Sequence, residues 1–407
     1  MAISHMVSAQ SSGDGARLHG DDMKSRIEAA ASVARKYADA VDRDSRFPKE
    51  AFDELRAQRL LGLLLPREYG GEDATVSDVA EICYALGRVC SSTSMIYAMH
   101  QANVACVARH ADGNPKFLSY LRRMGEEQML VASSTTEGQN GANVRTSAAA
   151  VESSGEGIRL IRDASVVSYG ADADMIVSTA RRSADSLPTD QVLVLLFKVD
   201  YTLAPTVSWD VMGMRGTCSE GFQLAGSGER EQVMSEPYER IHRRTMMPVT
   251  HLMWASCWAG VAAGAVERAQ GFVRKASRAA KGNPPPGAPF ATQAALSLMT
   301  LVNLVQSALA DYEARAKTPN ALEEIAFQTS LNLLKVGASE LSIATVLHAF
   351  NACGIAGYRN DGEFSVSRPL RDILSTSIMI NNNRILANVA SPCLLMGVPE
   401  QIGRRAE

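Results

Sequence analysis

The chain has 407 residues, of which 46% are hydrophobic and 21% charged, a composition typical of globular proteins. Its 41 Lys and Arg against 44 Asp and Glu give a net charge of −3, which argues against a protein that coats nucleic acid. No run approaches the roughly 20 apolar residues of a membrane span. The seven cysteines include no CxxC pair, so the sequence favours neither a zinc site nor a disulfide framework and predicts a cytoplasmic protein without a metal.

The periodicity of apolar residues changes twice along the chain. Residues 1–22 are polar and are expected to be disordered, with a cloning remnant at the start. Apolar residues at helical spacing predict an N-terminal helical domain over 23–128. Short β-branched runs separated by Gly, Asp and Ser predict a β domain over 129–240. Helical spacing then returns and predicts a four-helix bundle over 241–398, followed by a tail over 399–407. The predicted class is α+β.

Five short motifs occur in one order along this pattern. They are LLPREYGG, whose turn is Pro66 to Gly71; STTEGQNGAN at 134–143; VSYGADAD at 167–174; GMRGT at 213–217; and GIAGY at 354–358, followed by Glu363 and PLRD at 369–372. Together they resemble the acyl-CoA dehydrogenase family over residues 24–395. The resemblance implies a helical domain, a central β-barrel-like domain and a C-terminal four-helix bundle. It also implies an FAD cofactor, a homotetramer or homodimer, and an acyl thioester substrate on CoA or on an acyl carrier protein.

The resemblance assigns residues to a flavin site. Thr136 matches the family's strand threonine at the flavin edge, and Ser168 matches its hydroxyl beside flavin N5. Their neighbours Thr135 and Val167 are expected to contact the cofactor as well. Val166 stands where many members have a tryptophan, which leaves more room beside the ring.

The stretch after the first bundle helix lacks the family's Phe-Gly pair. Arg278 is the expected contact to the FAD pyrophosphate, because a cation can pair with phosphate there. In lacking the Phe-Gly pair, the chain resembles the family's oxygenase relatives more than its β-oxidation members.

The expected substrate contacts come from three parts of the chain. They are Met95, Ile96, Met99, Ala142, Ile380 and Asn381. The loop has drifted from the family pattern, since Ala142 and Asn143 replace its Ser and Asp. That drift weakens the expectation of ordinary CoA-ester binding.

Both positions at which the family places its catalytic glutamate lack a carboxylate. The usual position holds Ile380, and the alternative one holds Thr250. A base must reach the substrate α-carbon, and an imidazole has a suitable pKa. His251 and His100 are therefore the candidate bases.

Three hypotheses remain open on the sequence. The protein oxidises an acyl thioester with an unusual base; or it is a flavin-dependent oxygenase, which needs no such base; or it binds flavin or an acyl carrier without turnover. Val166 and the altered FAD loop favour the oxygenase. The histidine that such oxygenases often carry after the Arg-Asp pair is absent here, with Met379 near its place, which argues against the oxygenase. Retention of Thr136 and Ser168 argues against a protein without turnover.

Overall fold

The computed structural model describes residues 21–138, 143–281 and 283–398. The chain begins with five helices, which are α1 (Asp21–Arg43), α2 (Lys49–Ala57), α3 (Val76–Gly87), α4 (Ser91–Arg109) and α5 (Pro115–Glu126). A capping box starts α3, where Thr75 accepts from the Asp78 amide and Asp78 accepts from the Thr75 amide. Almost every residue of α4 is buried, so this helix is the centre of the N-terminal region and can carry side chains into the interior.

The middle of the chain forms two small sheets. The strands are β1 (Val131–Ser134), β2 (Glu152–Ser154), β3 (Gly157–Val167), β4 (Met175–Arg181), β5 (Gln191–Phe197), β6 (Tyr201–Val207) and β7 (Glu220–Glu229). One sheet has the order β1-β4-β5, in which β1 and β4 are parallel, and the other has the order β2-β3-β7-β6 and is antiparallel. The predicted α+β class is confirmed, with the β region built from two sheets.

The last part of the described chain is helical again. Its helices are α6 (Tyr238–Ile241), α7 (Met247–Ala279), α8 (Ala288–Arg315), α9 (Ile325–Cys353), α10 (Ile355–Tyr358), α11 (Ser367–Ile373) and α12 (Asn382–Leu395). A π-helical turn, His242–Met246, joins α6 to α7. The change of element type falls between Glu126 and Val131 and between Glu229 and Tyr238, while the exact domain limits stay predictions.

The last apolar stretch, residues 370–395, does not form one continuous helix. A 3-10 turn, Leu374–Ser377, follows α11, and the chain turns again before α12 begins. Asn381 caps α12, because its side-chain oxygen accepts from the amides of Asn383 at 2.9 Å and Arg384 at 3.3 Å. Asparagine competes with the helix for backbone hydrogen bonds, so the Asn run restarts a helix instead of continuing one.

Small residues of α7 are used within the subunit. A Cβ atom added at Gly260 would collide with the Tyr84 carbonyl, and one at Gly264 with the Arg88 carbonyl, so α7 packs closely on α3. These two glycines therefore serve packing within the subunit. By length and composition α7, α8 and α9 could each cross a membrane, but the most apolar part of the Tyr238–Ala279 run is 94% buried inside the protein. In α8 that part is only 22% buried.

Candidate active site

A cavity of about 620 Å³ lies where the β region meets the helices on both sides of it. Its wall comes from α4, the ends of β1 and β3, the run from α6 into α7, and the segment after α11. The predicted residues that line it are Met95, Met99, Thr135, Thr136, Ser168, Thr250, His251 and Ile380. Apolar side chains make up most of the wall, and the volume lies within the roughly 300–1,000 Å³ of ligand pockets.

Other predicted contacts lie elsewhere. Ile96 and Val167 are fully buried in the hydrophobic core and do not line the cavity, because neighbouring residues of a helix or strand face different sides. Asn381 is occupied as the α12 cap. Arg278 is exposed on the last turn of α7, away from the cavity. Ala142 lies outside the described residues.

Hydroxyl groups line one side of the cavity and form what we call the hydroxyl edge. The Ser168 Oγ lies 2.8 Å from the Ser219 Oγ, which lies 2.8 Å from the Thr217 Oγ1. Farther along, the Ser165 Oγ donates to the Thr136 Oγ1 at 3.4 Å. The β3–β7 register shifts between Ala164 and Val167, and such a bulge re-aims side chains next to binding sites.

This edge fits a flavin ring. Isoalloxazine presents hydrogen-bonding atoms along one side and flat apolar faces, and the cavity offers hydroxyl groups beside an apolar space. Val166, which replaces the family's tryptophan, lines the cavity and is 44% exposed. The room that the smaller side chain was expected to leave is present.

A buried ion pair anchors the chain after Thr136. The Glu137 carboxylate accepts from the amides of Ala148 at 2.6 Å and Ala149 at 3.0 Å and lies 3.7 Å from the Arg162 guanidinium. Both side chains are buried, and Arg162 also donates to the Thr179 carbonyl of β4. Glu137 therefore fixes the position from which Thr135 and Thr136 reach the cavity.

His100 joins two elements and does not line the cavity. Its Nε2–H donates to the Leu61 carbonyl at 2.8 Å, and its Nδ1 accepts from the Val131 amide at 3.0 Å. Burial lowers the pKa of His100 to about 4. Since both nitrogens are engaged, this histidine holds α4 against β1 and has no lone pair to offer a substrate.

Two other imidazoles line the cavity, both on the helical run into α7. His251 donates from Nδ1 to the Leu331 carbonyl at 3.1 Å, which leaves Nε2 as its basic nitrogen, and burial lowers its pKa to about 3. His242, in the π-helical turn, was not recognised from the sequence; burial lowers its pKa to about 4. Both rings are therefore neutral at pH 7.

Carboxylates are absent from the part of the cavity wall that the structure describes. Asp372 is buried nearby in sequence, but its Oδ1 accepts from the Met214 amide at 2.6 Å and burial raises its pKa. Glu363 pairs with Lys275 on the surface. The neutral imidazoles are thus the basic groups that the described wall offers.

A buried lysine supports the turn that carries Ile380. The Lys335 ammonium, on α9, donates to the carbonyls of Thr376 at 2.9 Å and Ile380 at 2.7 Å and to the Asn382 Oδ1 at 2.7 Å. It also lies 5.7 Å from the centre of the Trp258 ring. Burial lowers its pKa to about 8. Ile380 has φ = 51°, a strained value for a β-branched residue, so the surrounding contacts hold this turn in place.

Two arginines of the motifs form hydrogen bonds between regions of the chain, and one of them, Arg371, also lines the cavity. Arg371 donates to the Asp42 carboxylate at 3.0 Å and the Met212 carbonyl at 2.8 Å, and Arg215 donates from Nε to the Asp42 carbonyl at 2.8 Å. They join the β region and the C-terminal helices to the end of α1. Lys335 was not among the predicted site residues, although a lysine within the apolar run LNLLKVG indicates a buried polar contact.

Comparison with known proteins shows which proteins the chain is similar to. Residues 24–152 match the acyl-CoA dehydrogenase N-terminal domain. The chain is 26% identical to cyclohex-1-ene-1-carbonyl-CoA dehydrogenase of Geobacter metallireducens over 87% of its length and 92% of that protein. It is 23% identical to dibenzothiophene monooxygenase of Mycolicibacterium goodii over 64% of each chain. Its fold matches FMN-bound TdsC from Paenibacillus sp. A11-2 with a TM-score of 0.79 at 19% identity, covering 93% of this chain and 98% of that one.

Proposed function

We propose that this chain, which is similar in sequence to acyl-CoA dehydrogenases and in fold to FMN-bound TdsC, oxidises an acyl thioester using FAD and an imidazole base. One observation carries the proposal: the described cavity wall combines a hydroxyl edge with two neutral imidazoles and no carboxylate. The name of the Geobacter relative, a CoA-thioester dehydrogenase, supports the substrate class.

The residues that line the cavity have separate roles in the proposed oxidation. A bound flavin supplies a two-electron acceptor. Thr136 and Ser168, which line the cavity, would hold the edge of this ring with their hydroxyl groups. Met95 and Met99 on α4 enclose the acyl chain and exclude water. An imidazole takes the substrate α-proton, which a neutral ring can do at pH 7.

The choice of FAD over FMN rests on the end of α7. Arg278 is exposed there and followed by Lys281, so the pair can meet the pyrophosphate of a cofactor that extends from a neighbouring subunit. Such a site requires a homodimer or homotetramer. The exposed apolar side chains of α8, among them Leu296 at 60% exposure, support assembly through that helix. All seven cysteines are free thiols, which supports a cytoplasmic location.

The experiment is anaerobic mixing of the purified flavoprotein with acyl-CoA probes. Cyclohex-1-ene-1-carbonyl-CoA and butyryl-CoA should bleach the visible flavin band, because oxidation of the thioester reduces the flavin. Heat release of the cofactor followed by mass measurement distinguishes FAD from FMN. A flavoprotein that binds these probes without bleaching would contradict the proposal.

A monooxygenase is the second candidate, and the exposed Val166 favours it. The open space at this position can hold a substrate beside the flavin, and a mainly apolar wall excludes water from a reactive site. The likeness to dibenzothiophene monooxygenase also supports this candidate. Oxygen uptake with supplied reduced FMN and an aromatic sulfide, without anaerobic bleaching by acyl-CoA, would establish it.

A further inference from the structure

The helical run from Tyr238 to Ala279 contains one wide turn, and that turn lies at the cavity. Residues His242–Met246 are π-helical, whereas α6 and α7 on either side are regular. A π-helical turn inserts one residue into the helix and is often found at functional sites. Here its consequence is that His242 and both Met246 and Met247 line the cavity.

His242 differs from His100, His110 and His251 in its hydrogen bonding. His100 and His110 each engage both ring nitrogens, and His251 engages Nδ1. The ring of His242 packs edge-on against Tyr238, with centroids 5.8 Å apart, and makes no hydrogen bond to any described residue. The residue is half-buried and its ring is open to the cavity, so a molecule bound there can engage the free nitrogens.

We propose that His242 is the catalytic residue that accepts the substrate α-proton. This inference rests on the proposed oxidation of an acyl thioester. The α-C–H bond breaks, its proton goes to the free lone pair of His242, and its electron pair forms the Cα=Cβ bond. The β-hydrogen and its bonding pair would go to a bound oxidised flavin, which would supply the two-electron acceptor, so atoms and electrons balance.

The surroundings favour His242 over His251 for this role. The Lys335 ammonium faces His251 and opposes a second positive charge there, and the His251 ring is 2% exposed. His242 faces Arg145 from the loop after β1 and Arg243 from its own turn. Both arginines oppose a positive charge on His242, but Arg145 is exposed and the Arg243 side chain is 39% exposed, so solvent screens both charges. Protonated His242 would also be stabilised by the negative charge that develops on the thioester oxygen.

Chemical labelling tests the placement of His242 independently of activity. Diethyl pyrocarbonate modifies neutral imidazoles whose nitrogens are free, and mass spectrometry locates the product. In the holoenzyme, His242 should be labelled and saturating butyryl-CoA should protect it. His100 should stay unlabelled because both nitrogens are engaged, and His348, which lies outside the cavity, is the control for ligand protection. An unlabelled His242, or labelling that butyryl-CoA leaves unchanged, would overturn the proposal.

Variant kinetics test the chemical role. His242→Gln keeps a hydrogen-bonding group but is not basic, and it should slow anaerobic bleaching about 10²–10⁴-fold while butyryl-CoA affinity changes little. The matched variant His251→Gln should slow it less than about tenfold. In the wild type the bleaching rate should rise with pH through the pKa of His242 and then level off, and His242→Gln should lack this rise. His242→Asn repeats the test if the glutamine variant melts early.

These outcomes distinguish the role of His242 from the proposed oxidation of an acyl thioester. Wild-type bleaching with unchanged bleaching in both His242 variants would overturn the role of His242 and leave the proposed function standing. Absence of bleaching in the wild type would overturn the proposed function and, with it, the role of His242 as a base.

Discussion

Replacing Lys335 by Met should destabilise the turn that carries Ile380. The substitution keeps the length of the side chain but removes the donor to two carbonyls and the Asn382 side chain. Hydrogen bonds to a charged group contribute about 1.5–3 kcal/mol each. The opposing effect is relief of a buried charge, and lowering the pKa from 10.5 to about 8 corresponds to roughly 3 kcal/mol. The free energy of unfolding should therefore fall by about 2–5 kcal/mol.

Two measurements check this prediction. Urea denaturation gives the change in stability, and hydrogen exchange by mass spectrometry should show faster exchange over residues 376–382. Lys317→Met is the matched control, because Lys317 is exposed and its loss should change stability by less than about 0.5 kcal/mol. If Lys335→Met unfolds at the wild-type urea concentration and the turn exchanges at the wild-type rate, the reasoning about this buried cation is refuted.

Three further predictions concern the base position, pH and assembly. Ile380→Glu should bring a carboxylate to the cavity and raise acyl-CoA bleaching; a folded, ligand-binding variant without gain would contradict the alignment of Ile380 with the family glutamate. Because folded Lys335 loses its proton near pH 8 and the unfolded lysine near 10.5, stability relative to Lys335→Met should rise with pH over that window, as urea unfolding at its two ends would show; a constant difference would argue against the shift. Light scattering should give a multiple of 43.7 kDa, and Leu296→Arg on α8 should lower it; a wild-type mass near 43.7 kDa would defeat the assembly proposal.

The family motifs located the cavity because they name residues on fixed strands. Thr136 and Ser168 come to the same wall from the ends of different strands, as their motifs implied. The predicted contact of Val167 with the cofactor is not found at the cavity. Adjacent residues of an extended chain face opposite sides, so Ser168 faces the cavity and Val167 faces the core. Ile96 on α4 likewise faces the core, whereas Met95 and Met99 face the cavity.

What the sequence did not reveal depends on local geometry. The π-helical turn that brings His242 to the cavity cannot be detected from the spacing of apolar residues. The sequence therefore predicted His251 and His100, and not His242, as candidate bases. His100 satisfies both nitrogens through backbone groups that are 39 and 31 residues away in sequence, and no single-sequence argument foresees such contacts. The interrupted helix before α12 was signalled by its asparagines, but the hydrogen bonds from Lys335 that shape the turn were not.

The most direct test of the central claim compares two substrates in the anaerobic reaction. Butyryl-CoA should bleach the flavin of the wild-type protein, and butyryl-CoA deuterated at the α-carbon should bleach it several-fold more slowly, since the account requires the α-C–H bond to break at an imidazole. Bleaching at equal rates would contradict proton removal as a slow step. No bleaching with either compound, together with oxygen uptake when reduced FMN is supplied, would contradict the acyl-thioester account as a whole.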